Sequence, residues 1–165
     1  LADGARWIWD EQEKQFPGAE GVLDIFHAIE HVAATAKTLF GEGTSEAKTW
    51  TDSGRSALLH GGWDGIVEQI SETKLLVTTD SDRESLRQLE EYLLKQADHL
   101  YYKERLAEGR SIGSGQIEGA CKNLIGRRLK QTGARWKIRR VNRIASLCSL
   151  VYSDLWNTYW TTTPA

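Results

Sequence analysis

The chain has 165 residues, 40% of them hydrophobic and 27% charged, the ordinary balance of a soluble globular protein with one real core. No apolar run approaches the roughly 20 residues of a membrane span, and no basic n-region with an apolar stretch marks a signal peptide. The formal net charge of −2 hides an asymmetry: residues 1–118 carry 12 Lys and Arg against 22 Asp and Glu, whereas residues 119–165 carry 9 against 1. All of the latter cations lie between Lys122 and Arg143. Such a split predicts an anionic partner for the second part; the alternative is a solvated basic face that offsets the chain's own acids. Cys121 and Cys148 lack metal-ligand spacing and read as small buried side chains in a reducing compartment. The chain opens on Leu1 and has no Met, which predicts the C-terminal piece of a longer protein.

The first segment, residues 1–29, reads as strand, helix, strand. Asp3-Gly4 follows the end of a strand. Trp7 to Phe16 forms a short helix stopped by Pro17-Gly18, and "GVLDIF" is a short apolar strand candidate. From His27 the signal is helical. "HAIEHVAATAKTLF" runs to Gly41, and Thr44 or Ser45 caps the next helix. Gly61-Gly62 breaks the chain before another amphipathic segment. Ser81 with Glu84 makes a capping box for one long helix to about Glu108, closed by Gly109. Its stripe of Leu86, Leu89, Leu93, Ala97 and Leu100 predicts a bundle-facing side.

After the Gly-Ser-Gly turn, with Ser114 as the expected cap, Ile117, Ala120, Cys121, Leu124, Ile125 and Leu129 share one helical face. Glu118 lies beside it in the first turn. Thr132-Gly133 ends this helix, and Trp136 begins a last one that continues to about Trp156. A sheet interrupted by a helical insertion produces this order of elements.

Three pieces, "LADGARW", "VLDIFHAIEH" and "IGSGQIEGACKNLIGRRLKQTGARW", taken in this order resemble the C-terminal part of bacterial insertion-sequence transposases of the DDE type. The resemblance is to the ISKra-like group of the Mutator-like branch and covers nearly the whole chain. It implies that the chain, mostly α in itself, is the C-terminal part of an α/β RNase H-like fold. In that fold residues 1–29 are a core segment, residues 30–111 an all-α insertion domain, and residues 112–165 the C-terminal core helices. Asp3 matches the second catalytic Asp and Glu118 the catalytic Glu. Asp24 and His27 match the D-x-x-H motif between them. The first catalytic Asp would lie upstream of Leu1.

The chemistry so implied is hydrolysis of a DNA phosphodiester, followed by attack of the freed 3′-OH on target DNA. Two Mg²⁺ ions, with Mn²⁺ able to replace them, sit about 3.5–4 Å apart in such sites and stabilise the attacking and leaving oxygens. Mg²⁺ prefers carboxylate oxygen, which makes Asp3 and Glu118 the expected metal ligands. Lys122, Arg127, Arg128, Lys130, Arg135 and Arg139 would hold DNA phosphates without reading sequence. The partners implied are the element's ends and target DNA, with a homo-oligomer as the active complex and no membrane. The compartment implied is the bacterial cytoplasm, at the nucleoid.

Each residue also has a plainer reading. Glu118 could pair with Lys122 on a helix surface, a bond of about 0.2–0.5 kcal/mol. Asp3 could be a turn acid before Gly4, Asp24 an edge-strand acid, and His27 a packed helix-start residue. His31, His60 and His99 have no partner at ligand spacing and read as structural or exposed. Trp136 reads as a packing anchor, and Trp7, Trp9, Trp50, Trp63, Trp156 and Trp160 as core or interface aromatics. Two other classes stay open: a non-catalytic helical DNA-binding remnant of a transposase, and an RNase H-like nuclease such as a junction resolvase. A chain lacking the first Asp would be inactive by itself.

Overall fold

The computed structural model describes residues 1–130 and 132–162; Gln131 and the last three positions of the segment 112–165 lie outside the described residues. The chain is mostly α, as the sequence predicts. It divides into two compact units, Leu1–Ser114 and Gly115–Ala165.

In the first unit, α1 (Arg6–Gln15) stops just before Pro17-Gly18, with Gly18 at φ 87°. Asp24 caps α2 (Ile25–Phe40), which ends at Gly41, φ 91°. The Thr44 hydroxyl accepts from the Ala47 amide and starts α3 (Ser45–Leu76). At Gly62, φ 55° and ψ −130°, α3 kinks, so its two halves pack as separate rods. A side chain there would be strained by φ and would place its Cβ 2.7 Å from the Leu100 carbonyl oxygen.

Thr79 caps α4 (Asp80–Leu94), and α5 (Tyr102–Ala107) closes the unit before Gly109 at φ 67°. The apolar faces of α2, α3 and α4 meet in one core. Val32, Ala36, Leu58, Ile66, Ile70, Leu86 and Leu93 are buried there, with Leu100 and Tyr102 beside them. Trp50 is anchored in it by an N–H donated to the Thr73 hydroxyl at 2.9 Å. Removing any one of these large side chains leaves a cavity that costs about 2–5 kcal/mol.

Three local expectations are corrected in this unit. The two strands of residues 1–29 shrink to a single parallel bridge, Ala2 with Leu23. Gly4 turns the chain into α1, and Asp24 already caps α2, so the ladder has no room to extend. The long helix to Glu108 starts from Thr79 rather than Ser81 and breaks after Leu94. The break lets the Gln96 side chain turn inward, donating to the Gly4 carbonyl at 3.0 Å and accepting from the Trp9 indole at 2.9 Å.

In the second unit, α6 (Gly115–Cys121) runs into a π segment, Lys122–Gly126, and then α7 (Arg127–Leu129). The wider turn rotates the expected apolar face. Leu129 is buried, whereas Ile117 and Cys121 are exposed, so Cys121 is not the buried thiol expected. The last helix divides into α8 (Ile138–Tyr152) and α9 (Trp156–Thr162) around Asp154, which has φ 54°. Among the described residues no helix is long and apolar enough to cross a membrane.

Candidate carboxylate cluster and nucleic-acid interface

The parallel bridge sets the register of the first unit's acids. The Ala2 amide donates to the Val22 carbonyl at 3.0 Å, and the Asp24 amide donates to the Ala2 carbonyl at 2.7 Å. One step further along both chains, Asp3 lies beside Asp24. Their environments differ. Asp3 is exposed, and its Oδ1 accepts from the Ala5 amide at 3.0 Å. Asp24 is only 6% exposed. Its Oδ1 accepts from the Phe26 amide at 2.7 Å, and its Oδ2 from the Ser114 amide at 2.9 Å. Burial by itself would raise the Asp24 pKa. Bonds from the Ser114 hydroxyl and from the Phe26, Ser114 and His27 amides outweigh it and hold the carboxyl below its ordinary value.

One turn along α2, His27 Nδ1 lies 3.2 Å from the Glu30 carboxylate. Its ring is edge-on to His31, with centroids 5.1 Å apart. His31 stacks on Tyr92 of α4, whose hydroxyl lies 3.5 Å from the Asp3 carbonyl. Burial, and the His27 ring beside it, hold His31 below its ordinary pKa, against the opposite pull of Glu30. Tyr92 thus lies between the Asp3 backbone on one side and the His27 and His31 rings of α2 on the other. Sequence reasoning missed Tyr92 and gave His31 no role. The i,i+4 spacing of His27 and His31 was the available signal; Tyr92 stands 52 positions beyond the end of α2 with no pattern to link it.

Glu118 stands in the second unit, exposed, in the first turn of α6. An acid there is favoured by the positive end of the helix. Lys122, Arg127, Arg128, Lys130, Arg135 and Arg139 are all exposed. The Trp136 indole donates to the Leu129 carbonyl at 3.0 Å, which ties the Arg135-Trp136 turn back to the end of α7, while the ring itself is exposed. Arg128 lines a groove of about 320 Å³ with Ile144, Leu147, Cys148, Val151 and Trp156.

Charge pairing separates the two units. In the first, Lys14, Lys37, Arg55, Lys74, Arg83, Arg87, Arg105 and Arg110 each meet an Asp or Glu of the same unit. In the second, Glu118 and Asp154 are the acids among nine cations. Lys122, Arg128, Lys130, Arg135, Lys137, Arg139, Arg140 and Arg143 make no ion pair within their unit among the described residues. Lys137 occupies the N-cap position of α8 with no side-chain cap bond, and Arg139 and Arg140 stand in its first turn, where the helix dipole disfavours cations. An anion placed there would relieve both charges.

The exposed Asp3 carboxylate keeps Oδ2 clear of the Ala5 bond and suits a hard cation, as does an exposed Glu118. Among the described residues no three His, Cys, Asp or Glu side chains converge as a metal-holding group. No protein-family model matches the chain, and no curated protein or solved structure matches it.

Proposed function

We propose that this chain is the C-terminal part of the catalytic domain of a DDE-type DNA transposase, built on an RNase H-like core. Its second unit would hold DNA along the phosphates. The observation that carries the reading is the concentration of nine cations against two acids in the second unit, on exposed side chains such as Lys122, Arg128, Lys130, Arg135 and Arg139. A basic face that served only to offset acids would be expected to carry local partners, as eight of the first unit's 12 Lys and Arg do. The backbone bond that sets Asp24 of the D-x-x-H segment beside the Ala2-Asp3 segment supports the same reading.

In this reading Asp3 and Glu118 supply two of three carboxylates for a pair of Mg²⁺ or Mn²⁺ ions, and an upstream Asp supplies the third. The ions, when bound, supply Lewis-acid stabilisation of the phosphoryl oxygens. The residues of this chain orient the carboxylates and bind the DNA backbone. The enzyme acts in the bacterial cytoplasm, on element ends and target DNA, as a homo-oligomer.

The test compares two proteins. The 165-residue chain should bind DNA yet show no metal-dependent nicking. A longer protein that includes the upstream region should nick end-containing DNA in Mg²⁺, and Glu118→Gln should abolish that nicking. Near-normal cleavage by Glu118→Gln, or robust nicking by the 165-residue chain, overturns the assignment.

A further inference from the structure

We propose that Asp24 is a positioning residue: its carboxylate latches the Ile112–Ser114 segment, the point from which the helix carrying Glu118 departs. The consequence for catalysis rests on the transposase reading; the latch itself does not.

A helix cap needs one oxygen. Ser, Thr or Asn at position 24 could accept from the Phe26 amide as Asp24 does. Asp24 uses its second oxygen on the amide of Ser114, 90 residues further along. The Ser114 hydroxyl adds a bond to the same carboxylate. The Ile25 amide donates to the Ile112 carbonyl at 3.0 Å, so the start of α2 also holds the residue two before Ser114. Between them, Gly113 passes so close to Phe26 that a Cβ would stand 2.8 Å from the ring. The Ser111 hydroxyl donates to the Gly113 carbonyl at 3.1 Å.

Three consecutive residues are thus fixed, two of them by α2, and only a carboxylate serves both sides. Both oxygens of Asp24 are engaged and the residue is 6% exposed, which makes it a poor metal or phosphate ligand. The D of the D-x-x-H motif therefore orders the chain that leads to Glu118. His27, the motif's other residue, lies edge-on to Tyr92 with ring centroids 6.4 Å apart.

The test is amide hydrogen exchange on the 165-residue chain, comparing parent, Asp24→Asn and Asp24→Ser. Both variants keep one cap oxygen, so helix content and Phe26 amide protection should stay near those of the parent. Exchange at the Ser114 amide should rise about tenfold or more, the factor expected when a bond to a charged acceptor is lost. Unchanged Ser114 protection in either folded variant overturns the latch. Global unfolding of both variants also overturns it, because a latch on three residues does not hold the whole fold.

A second arm uses the longer protein with its upstream region. There Asp24→Asn should lower kcat for cleavage about tenfold, with KM for DNA within about twofold, because positioning acts on the step and not on the phosphate grip. A loss carried by KM alone overturns the positioning role. If the longer parent cleaves no DNA, the transposase reading fails, and the exchange arm still decides the latch.

Discussion

His31 and Tyr92 lie face to face, with ring centroids 3.8 Å apart and planes 22° apart, and so join α2 to α4 beside Asp3. The stack closes over the tyrosine. Burial, then the carboxylates of Asp3 and Glu30, push the Tyr92 phenol up from 10.0 to about 12. Burial pushes the fully enclosed Tyr102 higher still, with Tyr92 and Asp24 adding to the shift.

The first prediction concerns alkaline pH. A phenol whose pKa is raised on folding contributes stability that is complete below pH 10 and is lost as pH climbs toward 12. Because Tyr92 is half exposed, solvent screening reduces the contribution to about 1 kcal/mol. Tyr92→Phe should therefore unfold less steeply between pH 10 and 12 than the parent, by denaturant titration at each pH. Carbon-13 NMR of the labelled ring should show Tyr92 still protonated at pH 11. A midpoint near 10 in the folded chain would contradict this account of its surroundings.

A second prediction separates three glycines of α3. At Gly54 a Cβ would meet Val32 Cγ1 at 2.7 Å and Ile66 at 3.4 Å, so Gly54→Ala should destabilise by about 1–3 kcal/mol through overpacking. Gly62→Ala combines φ 55° with the close Leu100 carbonyl and should cost at least as much, about 1–3 kcal/mol. Gly61 has open space and no positive φ, so Gly61→Ala should stabilise by up to about 1 kcal/mol. Chemical denaturation of the three variants gives the order directly. An equal loss at all three sites would mean that the kink and the α2–α3 approach are not as described.

Local chemistry explains which parts of this fold are legible in the sequence. Thr44 and Gly41 mark their helix ends by side chain and φ alone, and both ends fall where the residues predict. Leu86, Leu89, Leu93 and Leu100 keep their spacing and are buried. Thr79 and Ser81 present similar capping patterns, so only the structure, with the Asp82 amide on the Thr79 hydroxyl, separates them. The break after Leu94 depends on Gln96 reaching Gly4 and Trp9, partners about 90 positions away. At the candidate site, the motif residues Asp3, Asp24 and His27 are visible as residue types at fixed spacing. The second oxygen of Asp24 is not visible that way, because its partner Ser114 is set by tertiary packing. The Tyr92 contact is hidden for the same reason.

The last prediction concerns the basic surface. Lys and Arg contacts to phosphate release condensed counterions, so binding weakens as salt rises. If about four of the nine cations face duplex DNA, log K should fall against log salt with a slope of about −3.6, from roughly 0.9 per phosphate. Replacing Arg127, Arg128 and Lys130 with Ala should weaken binding to unrelated sequences equally, because phosphate contacts carry no base information. The slope should flatten by up to about 2.7, the share of three contacts. Arg83→Ala with Arg87→Ala is the matched control. Those two cations are already paired with Asp80, Glu84 and Glu91 in the first unit, so their loss should leave the slope unchanged. Fluorescence anisotropy across a salt series measures all three proteins, and circular dichroism checks that each is folded. Absent binding at low salt, or an unchanged slope in the triple variant, removes the DNA-contact role from this surface and leaves Glu118 without its proposed substrate path.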